Sequence, residues 1–249
     1  MAQYAQVEAV LPSTESMTAD RPSAEFPNRF QRESLNLVNS LFALSSSGFY
    51  LVGPDMRHRG VVLRNLAAED ERNYADNFRD LDPLNPALFA DTEDTVVCID
   101  EQMSEPELLT SEYYRDFMVP LGHRHVADMF FRRDGDIVAV LTMLRDAATG
   151  PFGEGELAQL RKLQPFLEYA LNNVYLPRRV QQRESAQQRF AFTEREVDVV
   201  ELIVAGTSNK NIARELGLSL ATVKTHIQHI FQKAEVSSRT ALSAKVLAQ

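Results

Sequence analysis

Thr193-Glu194-Arg195-Glu196, Ser208-Asn209-Lys210-Asn211-Ile212-Ala213 and Ser219-Leu220-Ala221-Thr222-Val223-Lys224-Thr225-His226-Ile227-Gln228 follow one another near the C-terminus. Each run opens on a hydroxyl side chain of the kind that accepts a free backbone N–H at a helix start. Thr193 and Glu196 have capping-box spacing, and Val197, Val200, Leu202, Ile203 and Val204 follow as a broad apolar face. Gly206 and Gly217 suit the left-handed positions that close helices. The pattern predicts four helices: one from Thr193, one after Ser208, one over Leu220 to Ala234, and one after Ser237 or Ser238 with Leu242, Val246 and Leu247 buried. The second and third, joined through Gly217-Leu218-Ser219, form a helix-turn-helix.

The third helix divides by spacing. Val223, Ile227, Ile230 and Ala234 fall on one stripe, which must be buried. Ala221, Lys224, Thr225 and Gln228 fall on another that is small, cationic, hydroxylated and amide-bearing. That composition suits a DNA major groove, where Lys donates to guanine and Gln pairs with adenine. Thr222, Lys210, Lys233 and Arg239 are candidates for phosphate contacts that fix register, and Ser208, Asn209 and Ser219 are further candidate DNA-binding residues. The plainer alternative is a four-helix protein-binding domain whose polar face is solvated.

The chain has 249 residues, enough for two modest domains, and its 44% apolar and 24% charged content is ordinary for a globular protein. Its net charge of −9 is unevenly spread: +4 over 178–249 and −13 over 1–177. An acidic body with a basic tail points to a separate DNA-facing module. A single cysteine, Cys98, excludes an internal disulfide and a Cys-rich zinc site. With no apolar run long enough to span a bilayer and no secretory pattern in the first 27 residues, a cytoplasmic setting without membrane contact is expected.

Residues 1–27 read as a flexible arm, 28–176 as an α+β domain, 177–189 as a linker, and 190–249 as an all-α four-helix domain. In the α+β part, strands are predicted over Phe49 to Val52, Gly60 to Leu63, Thr95 to Ile99, Val126 to Arg132 and Ile137 to Leu144. Asp134-Gly135 marks a hairpin. Helical patterns run over Phe30 to Leu44, Ala67 to Arg79, Glu105 to Val119 and Glu154 to Tyr175, the last with a bend at Pro165.

The runs Phe192-Thr193-Glu194-Arg195-Glu196, Ala205 through Ala213, Leu218 through Ile227 and Ser238-Arg239-Thr240 together resemble the LuxR-type DNA-binding domain over about 60 residues. The resemblance implies a helix-turn-helix that binds palindromic promoter DNA as a homodimer, with base contacts from Lys224, Thr225 and Gln228, and contact with RNA polymerase if it activates. Two departures stand out: Phe192 where the family usually has Leu, and Ala234-Glu235 where it usually has Leu-Gly. A phosphorylated receiver domain is unsupported, because no lysine precedes Lys162.

The order of elements in 28–176 is similar to the GAF/PAS-like, autoinducer-type sensors of LuxR regulators. Tyr74, Phe78 and Asp82-Pro83 resemble an aromatic-then-Asp-Pro segment of acyl-homoserine-lactone receptors, with the spacing from the tyrosine one residue shorter. The absence of tryptophan departs from that pattern and favours another small-molecule effector, apolar or aromatic. Pocket candidates are Tyr50, Tyr74, Phe78 and Asp82, then Tyr113, Tyr114, Phe117 and Met118, then His123, Met129, Phe131 and Met143. No catalytic residue, cofactor or metal is expected, although His123 and His125 leave room for a hydrolase-like reading. A regulator that needs no ligand is the other alternative.

Overall fold

The computed structural model describes residues 29–247; the arm expected over 1–27 lies outside them. Helix α1 (Arg29–Leu41) precedes a five-stranded antiparallel sheet of β1 (Ser46–Val52), β2 (His58–Arg64), β3 (Val96–Cys98), β4 (His125–Arg133) and β5 (Asp136–Arg145), in the order β2-β1-β5-β4-β3. Each strand overlaps a predicted one. Asp134 and Gly135 both take positive φ (55° and 96°), the geometry a two-residue hairpin turn requires. Short helices α2 (Ala68–Asn73), α3 (Ile99–Gln102) and α4 (Glu105–Thr110) lie in the connections, and α5 (Glu154–Ala170) follows the sheet.

Both faces of the sheet are buried. Phe49, Leu51, Ala127, Met129, Phe131, Ala139, Leu141 and Met143 pack with Leu35 and Val38 of α1 and Leu157 and Leu160 of α5. The alternate residues Tyr50, Val126, Phe130 and Val140 pack beneath Tyr74, Leu84, Phe89, Ile99, Leu108 and Tyr113 from the short helices and turns. The two-residue period of a strand makes this division. Arg145, at the end of β5, ties the layers: its guanidinium holds Glu156 of α5 at 2.6 and 3.0 Å, donates 2.8 Å to the Ala43 carbonyl, and lies 4.0 Å from the centre of the Phe152 ring.

Two expectations change. The helix predicted over Glu105 to Val119 is broken at Ser111, whose backbone is extended (ψ 148°) and whose hydroxyl accepts from the Tyr114 N–H, starting a π-helical turn over Tyr113–Met118. The expected linker is helical: α5 runs through a π turn (Leu171–Tyr175) into α6 (Leu176–Phe190), a rod roughly 55 Å long. These two π turns, over Tyr113–Met118 and Leu171–Tyr175, each end two residues before a proline, Pro120 and Pro177. The wider turn accommodates the missing N–H and the ring that would otherwise strike a carbonyl four residues back.

The C-terminal part comprises α7 (Glu194–Val204), α8 (Asn209–Glu215), α9 (Leu220–Lys233) and α10 (Arg239–Leu247). Thr193, Ser208 and Ser219 cap α7, α8 and α9, accepting from the N–H groups of Glu196, Asn211 and Thr222. Gly206 and Gly217 take φ of 83° and 63°. Val197, Ile203, Ile212, Val223, Ile230, Leu242 and Val246 form the core, and Leu247 is only half-buried. Phe192, stacked 5.1 Å from Phe190, preserves the burial a leucine would give. Glu235 sits at φ 51°, a left-handed position that costs a side-chain-bearing residue about 1 kcal/mol relative to glycine.

Glu156 accepts from the Gly153 N–H at the start of α5 and pairs with Arg145, and the Arg145 hydrogen bond holds its carboxyl below the usual carboxylate range. A depressed folded-state pKa contributes stability above about pH 4.3, lost as pH falls through the folded value. Glu156→Gln is expected to lower stability at pH 7 by about 2 kcal/mol, since Arg145 stays buried with its partner weakened, and to flatten the acid limb of a plot of Tm against pH. Thermal melts from pH 3 to 7 check both.

Candidate functional site

The exposed side of α9 carries the expected stripe. Ala221, Lys224, Thr225 and Gln228 are all exposed, while Val223, Ile230 and Ala234 are fully buried and Ile227 is half-buried. Thr225 donates back to the Ala221 carbonyl at 3.1 Å, and Thr222 and Ser219 share a 2.8 Å hydroxyl contact at the helix start. Lys210 and Lys224 are exposed without an ion-pair partner among the described residues, so both ammonium groups are available to an anion. Ser208 and Ser219 spend their hydroxyls on capping.

Other basic residues of the tail are engaged within the protein. Lys233 holds Glu196 at 2.6 Å and the Ala191 carbonyl at 2.9 Å. Burial would raise the Glu196 carboxyl, but the Lys233 ammonium and the Thr193 N–H together hold it below the usual range. Arg239 donates to Asn209 and to the Thr207 carbonyl, locking the start of α10 onto the turn before α8. Arg179 and Arg183 of α6 converge on Glu201 of α7, and Arg183 also takes Asp198. The rod and the four-helix part are therefore pinned together by four buried or half-buried charges.

A second assembly lies on the face of the sheet opposite α1 and α5. It brings together Tyr50, Tyr74, Phe78, Asp82, Tyr113, Tyr114, Phe117 and Met118 as expected. Asp82 is buried; its carboxylate accepts 2.8 Å bonds from the Tyr74 hydroxyl and the Leu84 N–H. Burial pushes the Asp82 carboxyl up and the phenols of Tyr50, Tyr74 and Tyr113 well up, so all three tyrosines stay protonated. The rings form a box: Tyr74 and Tyr113 each lie 5.6 Å from Phe117, Phe78 lies 5.2 Å from it, and Tyr50 stacks on His58 at 4.2 Å.

Met129, Phe131 and Met143 do not join this cluster. They face the other way, into the core under α1 and α5. His123 is buried outside it, its Nδ1 without a hydrogen-bond partner and its pKa lowered by burial. His125 hydrogen-bonds Asp100 at 2.9 Å. Burial pushes the Cys98 thiol up to about 12, so it carries no thiolate. Four polar residues beside this cluster escaped the sequence reading: Asp128 and Thr142 on the sheet, and His58 and Glu71 next to Tyr50. For Asp128 the available signal was an acid inside Val126-Ala127-Asp128-Met129-Phe130-Phe131, a run otherwise wholly apolar.

One segment joins the two assemblies. Along 72–76, Tyr74 points inward to Asp82, while Arg72 donates to Asn211 of α8 at 3.3 Å and Asp76 pairs with Arg214 of α8 at 3.0 Å. Glu215 accepts from the Gly60 N–H of β2 at 3.3 Å. These contacts border a cleft of about 940 Å³ between the sheet edge and α8, into which His58, Glu71 and Tyr74 also face.

The family model for bacterial regulatory proteins of the luxR family matches residues 191–246. The Monoamine regulon transcriptional regulator of Klebsiella aerogenes is 32% identical over 211 residues, covering 85% of this chain and 87% of that one. The chain belongs to the luxR family of bacterial regulatory proteins. It is a LuxR-type transcriptional regulator, and α7 to α10 are its luxR-family domain. The Transcriptional regulatory protein LiaR of Bacillus subtilis is 39% identical over 79 residues, 32% of this chain and 37% of that one. Among solved structures, Escherichia coli SdiA is similar with a TM-score of 0.43 at 18% identity, over 88% of this chain and 93% of that one. Among the described residues no helix is long and apolar enough to cross a membrane.

Proposed function

We propose that this luxR-family regulator senses a small molecule in the chamber between the sheet and its short helices, and binds promoter DNA as a homodimer through α9. The observation that carries the DNA reading is the division of α9 into a fully buried stripe and an exposed one bearing the unpaired Lys224. Lys224, Thr225 and Gln228 enter the major groove, with Ala221 allowing close approach. Lys210 and Arg178, exposed and without an ion-pair partner among the described residues, supply phosphate contacts.

A homodimer places two such helices one turn of DNA apart, about 34 Å. Phe166, Tyr169 and Val174 are 66%, 65% and 58% exposed along the rod that leads into the luxR-family domain. They are the apolar surface a second copy would cover. Ligand acts by binding one dimer geometry better than the other. Two routes run from the chamber to α9: segment 72–76 through α8, and the rod through Arg179, Arg183 and Glu201. The regulon named for the Klebsiella aerogenes relative supports genes of amine metabolism as the target class.

Lys224→Ala is expected to weaken binding to a duplex that the wild-type protein selects from genomic fragments by about ten-fold or more in a gel-shift titration, with unchanged circular dichroism and Tm. Unchanged affinity would remove the assignment of the groove-facing stripe. Phe166→Glu combined with Tyr169→Glu is expected to shift sedimentation from dimer to monomer while Tm moves little, because both side chains are exposed. A dimer of undiminished stability in the double variant would place the interface elsewhere.

A further inference from the structure

One row of side chains crosses the chamber face of the sheet. Gly48 of β1, Thr142 of β5, Asp128 of β4 and Val97 of β3 are register partners in turn, and they share the face that carries Tyr50, Val126 and Phe130. Asp128 is the acid in this row. It is 5% exposed, and its Oδ1 has no hydrogen-bond partner. The Thr142 hydroxyl bonds its carboxyl. The opposite element contributes Asp82, a second buried acid, together with the phenols of Tyr74 and Tyr113; β1 contributes Tyr50, with His58 and Glu71 beyond it. Gly48 leaves room for Tyr50, because a Cβ there would overlap the Tyr50 ring and hydroxyl.

Two carboxyls enclosed by apolar and aromatic side chains are a costly arrangement for a protein that uses them only for packing. A carboxylate buried without a cation is destabilising, and a hydrophobic residue of similar size would fill the same space better. Asp82 has a local use, since it bonds Tyr74 and the Leu84 N–H. Asp128 has the Thr142 hydroxyl on its carboxyl, but its Oδ1 has no partner, and the group lies close enough to Tyr50, Tyr74 and Tyr113 to act on all three phenols. Ring faces attract cations, and a desolvated carboxylate attracts them more strongly.

We propose that the effector is an aromatic primary amine. Its ammonium is received by Asp128, with Asp82 adding negative potential, and its aryl group lies among Tyr74, Tyr113 and Phe117. The inference rests on the sensing role assigned to the chamber and names the chemical class that chamber takes. An uncharged ligand satisfies at most hydrogen bonds there and does nothing to offset the burial of two acids. A cation turns the same two groups into the source of affinity. Burial raises the Asp128 carboxyl well above the usual carboxylate range, and Asp82 raises it further. An arriving ammonium favours the ionised form, so binding releases a proton from Asp128 to solvent.

The test uses the full chain with 2-phenylethylamine and, as the uncharged analogue of the same shape, 2-phenylethanol, each titrated calorimetrically in two buffers of different ionisation enthalpy. The amine is expected to bind with a buffer-dependent enthalpy that reports proton release, and the alcohol about a hundred-fold more weakly. Asp128→Asn, nearly isosteric, is expected to fold with a Tm equal to or above that of the wild type, to lose the preference for amine over alcohol, and to lose the buffer dependence. Equal affinity for the two compounds, or undiminished amine binding by Asp128→Asn, overturns the cation assignment and leaves the sensing role standing. If neither compound binds, the amine assignment falls. Mass spectrometry of small molecules extracted from the purified chain then decides the sensing role separately: an uncharged co-purifying compound preserves it, and a consistently empty protein removes it.

Discussion

Water reaches neither face of the central strands of this sheet. Phe49, Met129, Phe131 and Leu141 are closed off by α1 and α5, and Phe130 and Val140 by the short helices on the other side. A side chain at the centre of β4 or β5 is therefore part of one packed cluster or the other, and a polar group there must find its partner inside the protein. The first face obeys this as an ordinary core, with Phe49 stacked 5.5 Å from Phe131. On the second face the Asp128 Oδ1 is left without a partner, and it falls where three tyrosines and a second acid gather. The sheet supplies a rigid floor, and the chamber's character comes from the irregular elements above it.

Those irregular elements also carry the connection to the luxR-family domain. A π turn over Tyr74–Phe78 follows α2 directly and lets Tyr74 face inward while Arg72 and Asp76 reach α8. Each outward contact is modest on its own, since half-exposed ion pairs contribute little. They matter because they attach to the same short segment that carries the Tyr74–Asp82 hydrogen bond. The rod of α5 and α6 gives a second attachment, through Arg179 and Arg183 on Glu201. The luxR-family domain is thus held at two places, one next to the chamber and one along the rod, while the Lys224 side of α9 stays free.

What was legible in the sequence was local. Capping hydroxyls at Thr193, Ser208 and Ser219, and glycines at 206 and 217, fixed the four C-terminal helices because caps and left-handed turns depend on a few neighbouring residues. The hairpin at Asp134-Gly135 was readable for the same reason. The face of a doubly buried strand was not. Val126-Ala127-Asp128-Met129-Phe130-Phe131 is apolar on both sides, so composition could not tell that Met129 and Phe131 point away from the chamber while Asp128 points into it. Pro177 read as the start of a linker, because the π turn that absorbs it has no signature in the sequence. Lys233 and Arg239 read as candidate phosphate ligands, because their internal partners, Glu196 and Asn209, lie 37 and 30 residues away.

The central claim is that the chamber and the DNA-binding helices communicate through residues 72–76, and amide hydrogen exchange on the Asp82→Asn variant tests it without knowledge of the ligand. Loss of the Tyr74–Asp82 carboxylate bond loosens 72–76 and, with it, the Arg72 and Asp76 contacts to α8. The predicted result is faster exchange in 72–78 and in 209–215, with β4, β5 and α9 unchanged. Faster exchange confined to the chamber, with 209–215 protected as in the wild type, would contradict the account.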